Sequence, residues 1–143
     1  MLDNFKVIVS GFVFNSKGEL LVVRRSLDEE TFPGMLAIPG GTVEVQAASG
    51  LIQDTVELNL IREIKEETNV DIKVDSWMES SSIAKEKAKL YLFFKCSVSG
   101  NETTSVSSET PEVFWINPRE IDITEATPAL VQYIRSIQQT IGS

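Results

Sequence analysis

The chain has no histidine and a single cysteine, Cys96. Without histidine there is no Ser-His or Cys-His nucleophilic pair. With one thiol there is no internal disulfide framework and no Cys/His zinc site. A lone thiol inside an apolar run suits a reducing compartment, so a cytoplasmic location is expected. No apolar stretch approaches the length of a membrane span. The opening MLDNFKVIVSG has no basic region leading into a long apolar segment, so no signal peptide is expected either. Positive charge is scarce: 13 Lys+Arg stand against 21 Asp+Glu, a net charge of −8. That disfavours an extended grip on nucleic acid. An acidic protein that handles anions needs metal ions to mediate.

What is present fits one globular domain over residues 1–143, with 42% hydrophobic and 24% charged residues. Residues 6–14 read as a strand that is apolar on both faces, with Val7, Val9 and Val13 on one and Ile8, Phe12 and Phe14 on the other. Such a strand is central and covered twice. Asn15-Ser16-Lys17-Gly18 is a turn, and 19–25 returns as its hairpin partner. A short apolar piece at 35–38 stops at Pro39-Gly40-Gly41, and 43–53 reads as loop. From Asp54 the period turns helical: Val56, Leu60 and Ile64 form a stripe that Leu58 and Ile61 widen. Asp54 is placed to cap this helix, and Asn69 to end it in the left-handed conformation. Residues 70–77, 89–98 and 113–116 read as further strands. Thr127 and Pro128 open a last helix whose stripe is Leu130, Ile134, Ile137 and Ile141. Strands interleaved with two helices predict an α/β (α+β) sandwich, a mixed sheet between helices.

The segment Arg62-Glu63-Ile64-Lys65-Glu66-Glu67 carries the chemistry. Helical spacing puts Glu63, Glu66 and Glu67 on one face. Like charges at three and four residues repel, and a cation reverses the sign. Magnesium takes oxygen ligands and keeps several waters, so two or three carboxylates plus substrate phosphates suit it. Taken alone, the cluster reads more readily as a solvated acidic face relieved by Arg62 and Lys65, since acidic helix faces are common. Likewise, Pro39-Gly40-Gly41 alone is an ordinary turn, although two glycines let backbone approach a ligand closely.

Together, loop glycines followed by this helix resemble the Nudix hydrolase family, whose motif runs G-x5-E-x7-R-E-U-x-E-E-x-G-U, with U a bulky aliphatic residue. Gly41, Arg62, Glu63, Ile64, Glu66, Glu67 and Val70 match it. The opening hairpin, and Trp115 before a C-terminal helix, extend the likeness over most of the chain. There are three departures. Asn69 stands for the last glycine, Asp54 for the first glutamate, and about seven extra residues separate Gly41 from Arg62.

The resemblance implies an α/β/α sandwich with a central mixed sheet. It also implies a small MutT-type hydrolase that cleaves the pyrophosphate linkage of a nucleoside triphosphate or nucleoside diphosphate derivative, with Mg2+ or Mn2+. The alternative is a non-catalytic Nudix-like nucleotide-binding or sensor domain. Implied metal ligands are Glu63, Glu66, Glu67 and the Gly40 carbonyl. Arg62 braces the carboxylates, and Asp54 pairs with Arg62 or supports the metal, or is a plain helix cap. The general base is Glu63 or Glu109; Glu109 reads equally as a solvated loop acid. A strand-end arginine, Arg24 or Arg25, contacts substrate phosphate, and strand alternation turns only one of them to the cleft. Trp115 and Phe94 could stack on a base, though large aromatics in strands are more often core. Members that prefer oxidised guanine carry an asparagine just before the last helix; Ala126 stands there. The expected partner is a small-molecule nucleotide, with no membrane and no extended nucleic acid, and a homodimer is left open. The inserted stretch 46–53 includes Leu51 and Ile52. It either covers the helix start and shapes the pocket for the leaving moiety, or is a neutral spacer.

Overall fold

The computed structural model describes residues 5–45, 50–84 and 88–142, with side chains up to residue 139. The elements in chain order are β1 (Phe5–Phe14), β2 (Leu20–Arg24), β3 (Leu36–Ala37), β4 (Gly40–Thr42), α1 (Thr55–Thr68), β5 (Ile72–Ala84), β6 (Ala88–Val98), β7 (Glu112–Ile116) and α2 (Pro128–Gly142). Two short 3-10 turns, Pro118–Glu120 and Ile123–Glu125, join β7 to α2.

The expectation of a central, doubly covered strand holds. β1 pairs with β2 and β4 antiparallel on one side and with β6 parallel on the other. The mixed sheet runs β3-β2-β1-β6-β5, with β4 on β1 and β7 on β2. Each face of β1 feeds its own core. Val9 and Val13 pack with Leu21, Val23, and Leu60 and Ile64 of α1. Phe12 packs on the other face with Leu20, Val22, and Leu130 and Ile134 of α2. The result is a helix, sheet, helix sandwich. Ile141 of the expected α2 stripe lies outside the described side chains.

Three readings change. The first concerns β5, which runs to Ala84, well past the expected end at residue 77; Glu79-Ser80-Ser81-Ser82 is too polar to read as strand from the sequence. It is nonetheless held by β6 across two register shifts, and at the sheet edge such polarity is tolerated. Next, the glycines at 40–41 do not end a strand but form one, β4, against β1. Last, Asp54 does not cap α1 with its side chain. It sits at the N-cap with φ 56°, in the left-handed region, and makes no capping hydrogen bond. At the other end Asn69 takes φ 70° and its N–H donates to the Lys65 carbonyl at 2.9 Å, as expected.

Candidate active site

β4 and α1 define the site between them. A Cβ on Gly40 would lie 2.1 Å from the Val9 carbonyl oxygen, and one on Gly41 would lie 2.5 Å from the Glu63 carboxyl carbon. No side chain fits at either position, so two glycines let the acidic face of α1 close on the sheet edge. Helical spacing then lines up Glu63, Glu66 and Glu67 along a cleft of about 780 Å³.

Among the expected residues, Gly40, Glu63, Glu66, Glu67, Arg24, Arg25 and Glu109 all line this one cleft. Arg62 stands beside it and holds Glu63 and Glu66, each at 3.3 Å. Glu109 reaches the cleft from the loop before β7, so a residue far along the chain joins the helix glutamates.

Electrostatics separate the carboxylates. Part of the Glu67 side chain faces the cleft, but protein atoms crowd its carboxyl. Burial pushes its pKa up to about 8, against a backbone hydrogen bond from Gly40 that pulls it down; the Glu63 charge adds to the rise. Burial also raises Glu63, with Arg62 opposing. Glu66 is more open, its side chain 59% exposed. Among the described residues no three carboxylates stand together at metal-ligand spacing. Arg62 Nη1 donates to both carboxylate oxygens of Glu66, at 3.3 Å each, which relieves the like charges on this face. The donor set suits a hard cation: carboxylate oxygens with the Gly40 backbone beside them.

Asp54 is a correction. Arg62 is held by Asn59, Glu63 and Glu66, not by Asp54, and Asp54 does not line the cleft. Its expected role is to pair with Arg62 or support the metal, and its backbone enters α1 in the left-handed conformation. Asn59, which the sequence reading missed, takes up part of that role. Only 8% exposed, it accepts from Arg62 Nη2 at 3.0 Å and from the Glu44 N–H at 3.0 Å. Its Nδ2 donates to the Glu44 carbonyl at 3.1 Å and the Thr55 carbonyl at 2.8 Å. One amide thus ties the exit of the glycine strand to the arginine that braces the glutamates. The signal was available: an amide one turn before Arg62, beside the apolar stripe.

The arginine expectation also changes, since both line the cleft. β2 ends at Arg24, and Arg25 turns with the following loop, so strand alternation no longer applies. Arg24 is already occupied by Glu112 at 2.9 Å, Glu125 at 3.8 Å and the Gly34 carbonyl at 2.9 Å. Arg25 donates to the Thr31 carbonyl at 2.8 Å and pairs with Glu29 at 3.2 Å; its charge also reaches Glu67. Trp115 and Phe94 belong to the core reading. Trp115 donates its indole N–H to the Glu102 carbonyl at 2.9 Å, and Phe94 packs edge-on against Trp77 at 5.5 Å. Neither lines the cleft. Within the inserted stretch, residues 46–49 lie outside the described residues. Leu51 is 89% exposed, and neither it nor Ile52 lines the cleft.

A family model described as the NUDIX domain matches residues 4–137. A "MutT-like protein" of Streptomyces ambofaciens is 32% identical over 80% of this chain and 66% of its own length. An "Uncharacterized Nudix hydrolase" of Nostoc sp. is 32% identical over 96% of this chain and 79% of its own. The "Nucleoside triphosphatase NudI" of Escherichia coli is 29% identical over 81% and 84%. Among solved structures, the MutT protein of Methanosarcina mazei superposes with a TM-score of 0.75 at 19% identity, covering both chains fully. The NUDIX domain of Shewanella oneidensis NrtR, complexed with ADP ribose, gives 0.71 at 14% over 98% of this chain and 90% of that one.

Proposed function

This chain belongs to the Nudix hydrolase family, and from that premise we propose that it hydrolyses the pyrophosphate linkage of a nucleoside triphosphate or nucleoside diphosphate derivative. The observation that carries the proposal is the contact of β4 with α1. Glycine backbone lies against Glu63, and the crowded Glu67 carboxyl beside it takes a backbone hydrogen bond from Gly40.

In this reading Glu63, Glu66, Glu67 and the Gly40 carbonyl would hold a magnesium or manganese ion, which would supply charge neutralisation for the pyrophosphate and a more acidic water. Arg62 braces Glu63 and Glu66, so the carboxylates keep their places as charge changes. Arg25, rather than the more heavily paired Arg24, grips a phosphate, because its planar fork matches phosphate oxygens. Water attacks one phosphorus, the bridging P–O bond breaks, and a carboxylate takes the water's proton. Glu109 suits that task better than Glu63: it lines the cleft without an ion pair among the described residues, whereas Glu63 is engaged by Arg62.

The relatives support the activity class. NudI is named a nucleoside triphosphatase, and two others carry the MutT or Nudix hydrolase name. NrtR's domain holds ADP ribose, which keeps the binding-domain reading in view; retention of all three helix glutamates favours the enzyme. The test is product release from a panel of nucleoside triphosphates, dinucleotides and nucleotide sugars, with and without magnesium. Metal-dependent cleavage of at least one class is expected. Tight nucleotide binding with no cleavage by any class would return the domain to a sensor.

A further inference from the structure

Strand register arranges the floor of the cleft in rows. Ser10 lies beside Phe93, Ile8 beside Tyr91, and Lys6 beside Lys89, all on one face of the parallel pair β1 and β6. β5 continues the rows with Glu79, Ser81 and Ile83. Every one of these residues lines the cleft. Gly40 of the metal-facing strand pairs with Ser10, at the inner row. The lysine row is four residues outward along the strand, or about 13 Å. That is the reach of a nucleoside from its pyrophosphate to the far edge of its base. Arg25 spans the middle, since its charge acts on both Glu67 and Tyr91.

Along β6 the rings of Phe93 and Tyr91 already stack, with planes 12° apart and centroids 6.2 Å apart. That ladder has a next position, over the row of Lys6 and Lys89. A base on the outer face of Tyr91 would fill it and put its edge beside two amines. Neither lysine has an ion-pair partner among the described residues, and Lys89 Nζ is aimed by a hydrogen bond to Thr31 Oγ1 in the loop above the cleft. A lysine ammonium donates and never accepts. Such a row favours a base with a carbonyl oxygen where its rivals carry an amine. Guanine and uracil or thymine have that oxygen; adenine and cytosine carry the amine.

We propose that the outer end of the cleft is a base-reading subsite, in which Tyr91 stacks the base and Lys6 and Lys89 select a guanine- or uracil-type carbonyl edge. This rests on the nucleotide-hydrolase reading and assigns the substrate class of that same site. Lys89, half-buried and held by Thr31, is a constrained donor that loses its bond when it faces an amine, and Lys6 adds its charge on the same row, so discrimination of about tenfold or more in kcat/KM is expected.

The test compares GTP, UTP, ATP and CTP as substrates, with binding of their non-hydrolysable α,β-imido analogues, in the wild type, Lys6→Met and Lys89→Met. Wild type should favour GTP and UTP over ATP and CTP in both assays. Each variant should bring the GTP:ATP and UTP:CTP ratios close to one. Lys6→Met leaves the Lys89–Thr31 bond in place, so its effect cannot come from a loosened loop. Equal use of the four nucleotides by wild type overturns the inference. So does an equal loss for all four in Lys6→Met, which would put the amines on phosphate. Ranked binding without cleavage by any nucleotide would sink the hydrolase reading and leave the subsite standing.

Discussion

At Glu67, burial and the Gly40 backbone act in opposite directions, and burial wins, holding the carboxyl up to about 8. The consequence for stability has a definite sign. Between the ordinary carboxylate range and about 8 the folded chain binds a proton that the unfolded chain has lost. Metal-free protein therefore loses stability as pH rises from about 5 to 8, on the order of a few kcal/mol. Thermal melts across that range should show a falling Tm. Glu67→Gln should flatten the slope, and magnesium should raise Tm most at the alkaline end, where the carboxylate is free to bind it. A wild-type slope of the opposite sign, or one that Glu67→Gln leaves unchanged, would remove Glu67 from its assigned environment. The tether at Asn59 is a second residue-scale case. Asn59→Ala removes the side-chain partner of the Glu44 N–H and carbonyl, in a mostly buried setting, and one of the three residues that hold Arg62. A loss of about 1–3 kcal/mol in urea melts is expected, together with weaker metal binding as Arg62 and the glycine strand move apart. Unchanged stability and unchanged magnesium dependence would show that the amide only fills space.

At the scale of elements, α1 was legible because its period, its Asn69 stop and its carboxylate spacing all agree. Its start was not. A side-chain cap at Asp54 is a local inference, and the longer connection before the helix brings the chain in through a left-handed residue instead. β5 beyond residue 77 was illegible for a different reason: Glu79 to Ser82 carries no alternation, and the strand is held by the backbone ladder to β6 and not by an apolar face. The arginine pair was misjudged because alternation was carried one residue past the end of β2. What local pattern could not supply was pairing across the sheet, which set β4 against α1 and the lysine row beside Tyr91. The described half of the inserted stretch gives its own prediction. Leu51 is almost wholly in solvent and does not line the cleft, so Leu51→Ser should change stability by no more than about 0.5 kcal/mol and leave the substrate ranking as it is. A shifted ranking would restore the pocket role.

Across the whole molecule, the sheet is packed on both faces and serves as the rigid part. The site is assembled at its edge from α1, β4, the loop after β2 and the loop before β7. Its acids come from distant parts of the chain, so they can be given separate tasks. Glu109→Gln should lower kcat by about a hundredfold or more with metal affinity little changed, as expected of a base that is not a ligand. Glu63→Gln should weaken metal binding as well as rate. An unaffected Glu109→Gln enzyme returns the base to Glu63. The central claim is that the acidic face of α1, closed on glycine backbone, holds the ion that hydrolysis needs. Magnesium-titrated turnover of Glu66→Gln and Glu67→Gln tests it most directly, read beside circular dichroism. Both variants should keep the fold and lose most of their turnover at every magnesium concentration. If either retains near-full magnesium-dependent activity, the metal site is elsewhere.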